Sequence, residues 1–240
     1  MLLLASVVCA SEAHAIHDVA DVVDIKDVSK GAFGAPDVAV VEAARESIGE
    51  KGVLSVALGE MDAAPENILS LATTMAKAGA DVLKIAVYGA GPEAALSTLS
   101  TIKDSIPYGV KLVAAVYADV AGECSITPFD LPFIASAAGA DGILIDTRRK
   151  NGRSLLDLVE GINLKRIVDE AKDLGLTTAL AGALGMGDLA TLAVIRPDYV
   201  GFRSAITVDG ERGASVDVEK VARIRDRIKI LSLNKNANLA

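Results

Sequence analysis

The chain has 240 residues, 51% of them hydrophobic and 23% charged, a balance that excludes disorder and suits one large buried core. Its 24 basic and 32 acidic side chains leave a net charge of −8, which argues against a nucleic acid held by phosphate neutralisation but not against a small anionic substrate. Two cysteines, Cys9 and Cys124, and two histidines, His14 and His17, have no metal-ligand or disulfide-framework spacing and leave little from which to build a hydrolytic triad.

The apolar opening, 1–10, resembles the core of a secretory leader but lacks its basic leading region, and the next charge is the acidic Glu12. It reads as a buried first strand. No other run has the apolar length of a membrane span, so no membrane contact and a cytoplasmic location are expected. After a first helix carrying His14 and His17, short apolar runs recur at 20–26, 53–58, 81–88, 111–118, 142–146, 177–183 and 199–203. Such runs are the signature of parallel strands buried on both faces. Amphipathic stretches at 38–47, 68–78, 94–106, 130–138, 164–174, 187–194 and 218–230 alternate with them, and Pro36, Pro65 and Pro92 mark helix starts. The polar end, 234–240, reads as a frayed tail. Eight strand–helix units of about 30 residues each predict a single (β/α)8 TIM barrel over 1–233, in the α/β class. An internal echo supports it. Asp21, Asp81, Asp141 and Asp198 each precede a strand, where they read as turn residues at the bottom of the barrel. The rival doubly wound sheet lacks its phosphate fingerprint, since Gly89-Ala-Gly91 has no third glycine.

Barrel chemistry gathers at the carboxyl ends of the strands, so charges interrupting those ends are the candidates. Asp24 and Lys26 share one face of the second strand, Lys84 sits inside the fourth, Asp119 follows the fifth, and Asp146 ends the sixth ahead of Arg148, Arg149 and Lys150. A lysine in an apolar strand is expensive unless it is paired or functional. Two lysines beside two acids suit amine catalysis, in which a neutral amine forms an iminium ion with a carbonyl and a carboxylate moves protons. A buried ion network would explain the same residues without chemistry. Burial favours Lys84 as nucleophile and access favours Lys26, and the residues alone leave that choice open. Phosphate binding is expected after the seventh and eighth strands, at Gly182 and Ala183 and at Arg203 and Ser204. Gly31 and Gly34 form either a loop over the mouth or a tight turn.

At these positions the chain resembles the (5-formylfuran-3-yl)methyl phosphate synthase family, also called 4-(hydroxymethyl)-2-furancarboxaldehyde-phosphate synthase. The matching stretches are Val23-Asp-Ile-Lys-Asp27 with Lys30-Gly-Ala-Phe-Gly-Ala35, Gly79-Ala-Asp-Val-Leu-Lys-Ile-Ala-Val-Tyr-Gly89 and Tyr117-Ala-Asp119. They continue through Ile145-Asp-Thr147 with Lys150-Asn-Gly152, Leu180-Ala-Gly182 and Val200-Gly-Phe-Arg203, nearly the whole chain in family order. The resemblance implies a lyase of methanofuran biosynthesis that joins two glyceraldehyde 3-phosphate molecules with loss of phosphate and water and uses no cofactor or metal. It places the Schiff-base lysine on Lys26, with Asp24, Lys84, Asp146 and Lys150 as the other catalytic groups. Arg148-Arg149 is more basic than the family pattern and offers a second phosphate contact. Another Schiff-base aldolase acting on sugar phosphates, or a non-catalytic barrel that binds them, is the alternative. A homo-oligomer is expected because barrels often associate, although no stripe identifies the surface.

Overall fold

A computed structural model describes residues 1–62, 64–120, 122–149 and 151–237, without the side chains of 234–237. Eight parallel strands close in sequence order: β1 (Leu2–Val7), β2 (Val22–Ile25), β3 (Leu54–Glu60), β4 (Val82–Ala86), β5 (Lys111–Tyr117), β6 (Gly142–Asp146), β7 (Thr177–Leu180) and β8 (Tyr199–Phe202). The helices outside them are α1 (Ala10–Ile16), α2 (Val38–Ile48), α3 (Pro65–Lys77), α4 (Pro92–Ser105), α5 (Leu131–Ala137), α6 (Leu155–Leu158), α7 (Gly161–Asp173), α8 (Leu189–Ile195) and α9 (Val218–Ala237). The structure is thus the expected TIM barrel. Among the described residues no helix is long and apolar enough to cross a membrane.

Three of the differences from the sequence expectation have a clear local reason. β7 stops at Leu180, three residues short of the predicted run, because Gly182 and Ala183 turn to positive φ (109° and 50°) and leave the extended conformation. The short α6 was not anticipated; a capping box between Ser154 and Asp157 starts it. α9 runs past the predicted end near 230 into the expected tail, since no glycine or proline interrupts 218–237.

The aspartate echo has a definite job. Asp21, Asp81, Asp141 and Asp198 each accept the backbone N–H of the strand before their own, from Leu3, Leu54, Leu112 and Thr178, at 2.7–2.9 Å. Each is also paired to a cation on a helix: Arg225, Arg45, Lys103 and Lys172 respectively. The unit repeats with every second strand and ties the bottom of the barrel to its helical coat. Burial works against the charged form of Asp141 and Asp198, yet the hydrogen bonds from Lys103 and Leu112, and from Thr178 and Lys172, hold both carboxyls below the usual range.

Alternation divides the strand residues between two environments. Leu3, Ile25, Leu54, Leu83, Ile85 and Leu112 are fully buried between barrel and helices and form the main core. The inward set is much smaller in volume, with Ala57, Ala86, Ala115, Ala179 and Ala181 in one cluster with Leu144 and Tyr117. A barrel interior is normally filled by bulky branched side chains. Here small ones leave room at both ends, and charged residues occupy the middle.

Candidate active site

Register places the central charges. Ser6, Asp24 and Ser55 are neighbours across β1, β2 and β3, all turned inward. Asp24 is 0% exposed and Lys84, from β4, is 3% exposed; their side chains form an ion pair through Asp24 Oδ1. Ser6 Oγ donates to Asp24 Oδ2 at 2.8 Å, and Lys84 Nζ lies 5.7 Å from the centre of the Phe33 ring. Withdrawing two charges from water costs several kcal/mol per ion, on the order of what their attraction returns, so the pair contributes little net stability.

One pleat higher, Lys26 follows β2 with 8% of its surface exposed. Among the described residues its Nζ has no hydrogen-bond or ion-pair partner. Burial lowers its pKa from 10.5 to about 8; the carboxylates of Asp24 and Asp146 oppose the shift, and the cations of Lys84 and Arg212 add to it. Asp146, at the end of β6, is buried and accepts the N–H of Thr147 at 2.6 Å. Lys150 lies outside the described residues.

Lys26 and Asp146 open into a cavity of about 590 Å³ at the carboxyl ends of the strands, with Ser6, Gly182, Ala183 and Ser204 in its wall. A Cβ at Gly182 would stand 2.8 Å from Thr147 Cγ2, and φ is 109° there, so glycine is required twice over. With Ala183 also at positive φ, the turn leaves the N–H groups of Gly182, Ala183 and Leu184 without a hydrogen bond to a described residue. Such a backbone concavity is suited to anions.

Arg203 stands in the same wall, but its guanidinium is occupied by the protein. Its five N–H bonds are all taken, by Glu12 Oε1 and Oε2 and by the carbonyls of Ser6, Arg212 and Ala214. The buried Arg203–Glu12 pair fastens the segment after β8 to α1, and Glu12 also accepts the N–H of Val216 and of Val8. That segment folds back over the cavity and delivers a different cation. Arg212 lines it half-buried, and its guanidinium makes no hydrogen bond or ion pair with a described residue. Burial lowers the Arg212 pKa, partly offset by attraction to Asp146. Sequence reasoning missed Arg212, because Asp209-Gly-Glu-Arg-Gly213 reads as an ordinary exposed turn.

Asp119 lies outside this cavity's wall. It accepts the N–H groups of Arg148 and Arg149, each at 2.6 Å, and thereby shapes the turn after β6. The two arginines are engaged as well: Arg148 reaches both carboxylate oxygens of Glu60 at 3.2 Å and stacks 4.2 Å over Tyr88, while Arg149 pairs with Glu123. Tyr117 OH donates to Glu60 at 2.7 Å, and burial followed by that bond raises its pKa. Residues 27–34 form a tight turn, with Asp27 N–H bonded to Gly34 O and no room for a Cβ at Gly34, 2.1 Å from Asp27 O. The turn seats Phe33 against Lys84 and Tyr117.

The sequence profile of the 4-HFC-P synthase family matches residues 3–225. The chain belongs to this family. It is 34% identical to the (5-formylfuran-3-yl)methyl phosphate synthase of Methanothermobacter thermautotrophicus over 218 residues, covering 88% of this chain and 92% of that one. The same-named protein of Methanocaldococcus jannaschii is 33% identical over 236 residues, with 95% and 100% covered. Among solved structures, phosphoribosyl anthranilate isomerase from Thermus thermophilus aligns with a TM-score of 0.65 at 17% identity, over 96% of this chain and 100% of that one. Thiamine phosphate pyrophosphorylase from Pyrococcus furiosus aligns with a TM-score of 0.64 at 13% identity, over 96% of both chains. Those two likenesses concern the fold.

Proposed function

We propose that this chain condenses two molecules of glyceraldehyde 3-phosphate into (5-formylfuran-3-yl)methyl phosphate, with a Schiff base at Lys26. The reading is carried by the buried amine of Lys26, which has no hydrogen-bond or ion-pair partner among the described residues and a pKa lowered by burial to about 8, on a cavity whose wall includes the Gly182–Ala183 turn. Family membership supports the phosphorylated furan product, and the reading takes glyceraldehyde 3-phosphate as the substrate.

Lys26 Nζ, when neutral, adds to the aldehyde carbon of one triose phosphate, and loss of water gives an iminium ion. The cation acidifies the adjacent carbon, whose proton passes to a carboxylate, and an enamine forms. The enamine attacks the aldehyde of the second triose, making the carbon–carbon bond. Elimination of inorganic phosphate, ring closure and loss of water then lead to the aromatic ring and return the lysine. Asp146 lies on the cavity side of Lys26 and suits proton transfer at the new bonds; Lys150 is assigned the same task from the family pattern. Asp24 and Lys84 hold a proton between them below the amine. One phosphate is held by the N–H groups of Gly182 and Ala183 with Ser204, and Arg212 supplies the charge. Arg203 is a positioning residue for the segment that carries Arg212.

Incubation with glyceraldehyde 3-phosphate alone, followed by ultraviolet absorbance and free phosphate, tests the reading. A furan chromophore with equimolar phosphate, absent in Lys26→Ala, is the expected result. No chromophore from the wild type refutes the synthase. A chromophore that survives in Lys26→Ala moves the nucleophile elsewhere.

A further inference from the structure

A second cavity, of about 440 Å³, enters the barrel from the opposite end, between the starts of the strands. Val22, Val82, Val113 and Tyr199 form part of its wall, and Lys111 and Asp141 stand at its rim, where the Lys111 side chain is 58% exposed. Its inner end is formed by Ser55 and Lys84. Lys84 therefore borders this rear cavity and not the front one, whereas Ser6 borders the front one and not the rear. Between them lies Asp24, joined to Lys84 through Oδ1 and to Ser6 through Oδ2. The pair closes the barrel like a diaphragm, with a polar group on each side.

Ser55 Oγ decides what fills the rear. It is completely buried, lies beside Asp24 across the β2–β3 ladder, and has no hydrogen-bond partner among the described residues; Asp24 Oδ1 accepts no hydrogen bond beyond its ion pair with Lys84. A buried hydroxyl without a partner is costly, and native interiors satisfy such groups with water wherever space allows. The cavity has that space, and the Ser55 hydroxyl and Lys84 ammonium that line it offer a water two partners.

We propose that the rear cavity is a water-filled proton path that keeps the Lys84–Asp24 pair in exchange with bulk solvent while substrate occupies the front. A proton relayed from the front cavity through the Ser6 hydroxyl to the Asp24 carboxylate is matched by one released from the Lys84 ammonium to water at the rear, and transfer within the pair then restores both charges. The catalytic use of the path rests on the synthase reading above; its existence does not. The two cavities give the barrel separate routes for substrate and for protons, so the bound trioses need not share the mouth with the water that exchanges protons.

The test uses the full chain, Ser55→Ala, and Ala179→Leu, which adds bulk to the rear wall. In protein labelled with 15N-lysine, exchange of the Lys84 ammonium protons with solvent slows at least tenfold in Ala179→Leu; an unchanged rate overturns the path whether or not the protein makes furan. In the furan assay Ala179→Leu loses about tenfold in kcat with KM and reductive trapping at Lys26 unchanged, and its solvent isotope effect rises; unaltered kcat and isotope effect refute the proton role. Should Ala179→Leu not fold, Ser55→Ala carries the same readouts. Its melting temperature adds one more: a rise marks a dry, unsatisfied hydroxyl and refutes the water, whereas an unchanged or lower value supports it. If the wild type makes no furan, the synthase reading fails and the exchange measurement still decides the path.

Discussion

The lowered pKa of Lys26 makes its reactivity a steep function of pH. An ordinary lysine at 10.5 is about 0.03% neutral at pH 7, whereas one at about 8 is roughly 10% neutral, some 300-fold more nucleophile for the same concentration. The rate of imine formation, read as cyanoborohydride-trapped triose on Lys26 by mass spectrometry, is expected to climb nearly tenfold per pH unit below 7.5, bend near 8 and flatten above about 9. Asp146→Asn sharpens the test. Its carboxylate raises the Lys26 pKa, so removing the charge moves the bend below the wild-type position even though later proton transfers suffer. A wild-type rate still climbing through pH 10, or a bend that Asp146→Asn moves upward, refutes burial as the source of the activated amine. The same shift bears on stability. The folded pKa lies below the unfolded one, so between about 8 and 10.5 the unfolded chain binds the extra proton and stability rises with pH. Below that window the buried charge costs about 3 kcal/mol, so Lys26→Met raises the melting temperature at pH 7 and loses this advantage above pH 10.

Three further outcomes are expected. Arg212→Met removes a cation that bonds no described residue, so it leaves the melting temperature unchanged while raising KM roughly 10- to 100-fold, the value of about 1.5–3 kcal/mol for a charge-assisted phosphate bond; a melting temperature that falls with KM intact reverses the assignment. Glu12→Gln strands the buried Arg203 charge and costs about 3–5 kcal/mol in denaturant titrations, a loss that an exposed pair would not produce. Asp141 has a folded pKa below its unfolded 3.8, so its contribution is present above that value and lost as pH falls through the folded pKa; Asp141→Asn should flatten that part of the acid-unfolding curve and lower stability at pH 7.

The barrel was legible because periodicity and punctuation both survive in the sequence. Buried parallel strands must be apolar on two faces, and Pro65 and Pro92 can stand only at helix starts, so eight units emerge without any knowledge of tertiary contacts. The central lysines were legible for the opposite reason. Lys84 inside Val82–Ala86 breaks a rule that burial enforces, and such a breach points to function or to a partner. Asp24 proves to be that partner, on another strand, and strand pairing across a barrel is not written in either strand alone.

The arginines show where that reasoning ends. Arg203 stands where barrels often hold phosphate, and its position is as expected; its five donors, however, point into the protein. Only one acid could have warned of this, Glu12, which looks like a surface charge on the first helix until the chain 191 residues later closes over it. The consequence reaches the site itself. A guanidinium that is fully bonded in a buried ion pair cannot turn toward a ligand without abandoning several kcal/mol of contacts, on the order of what a phosphate would return. The anchored segment instead carries Arg212 to the cavity on a turn whose own sequence is unremarkable. Position within a fold thus specifies where a cation is needed, and the hydrogen-bond inventory of each arginine decides which one is free to serve.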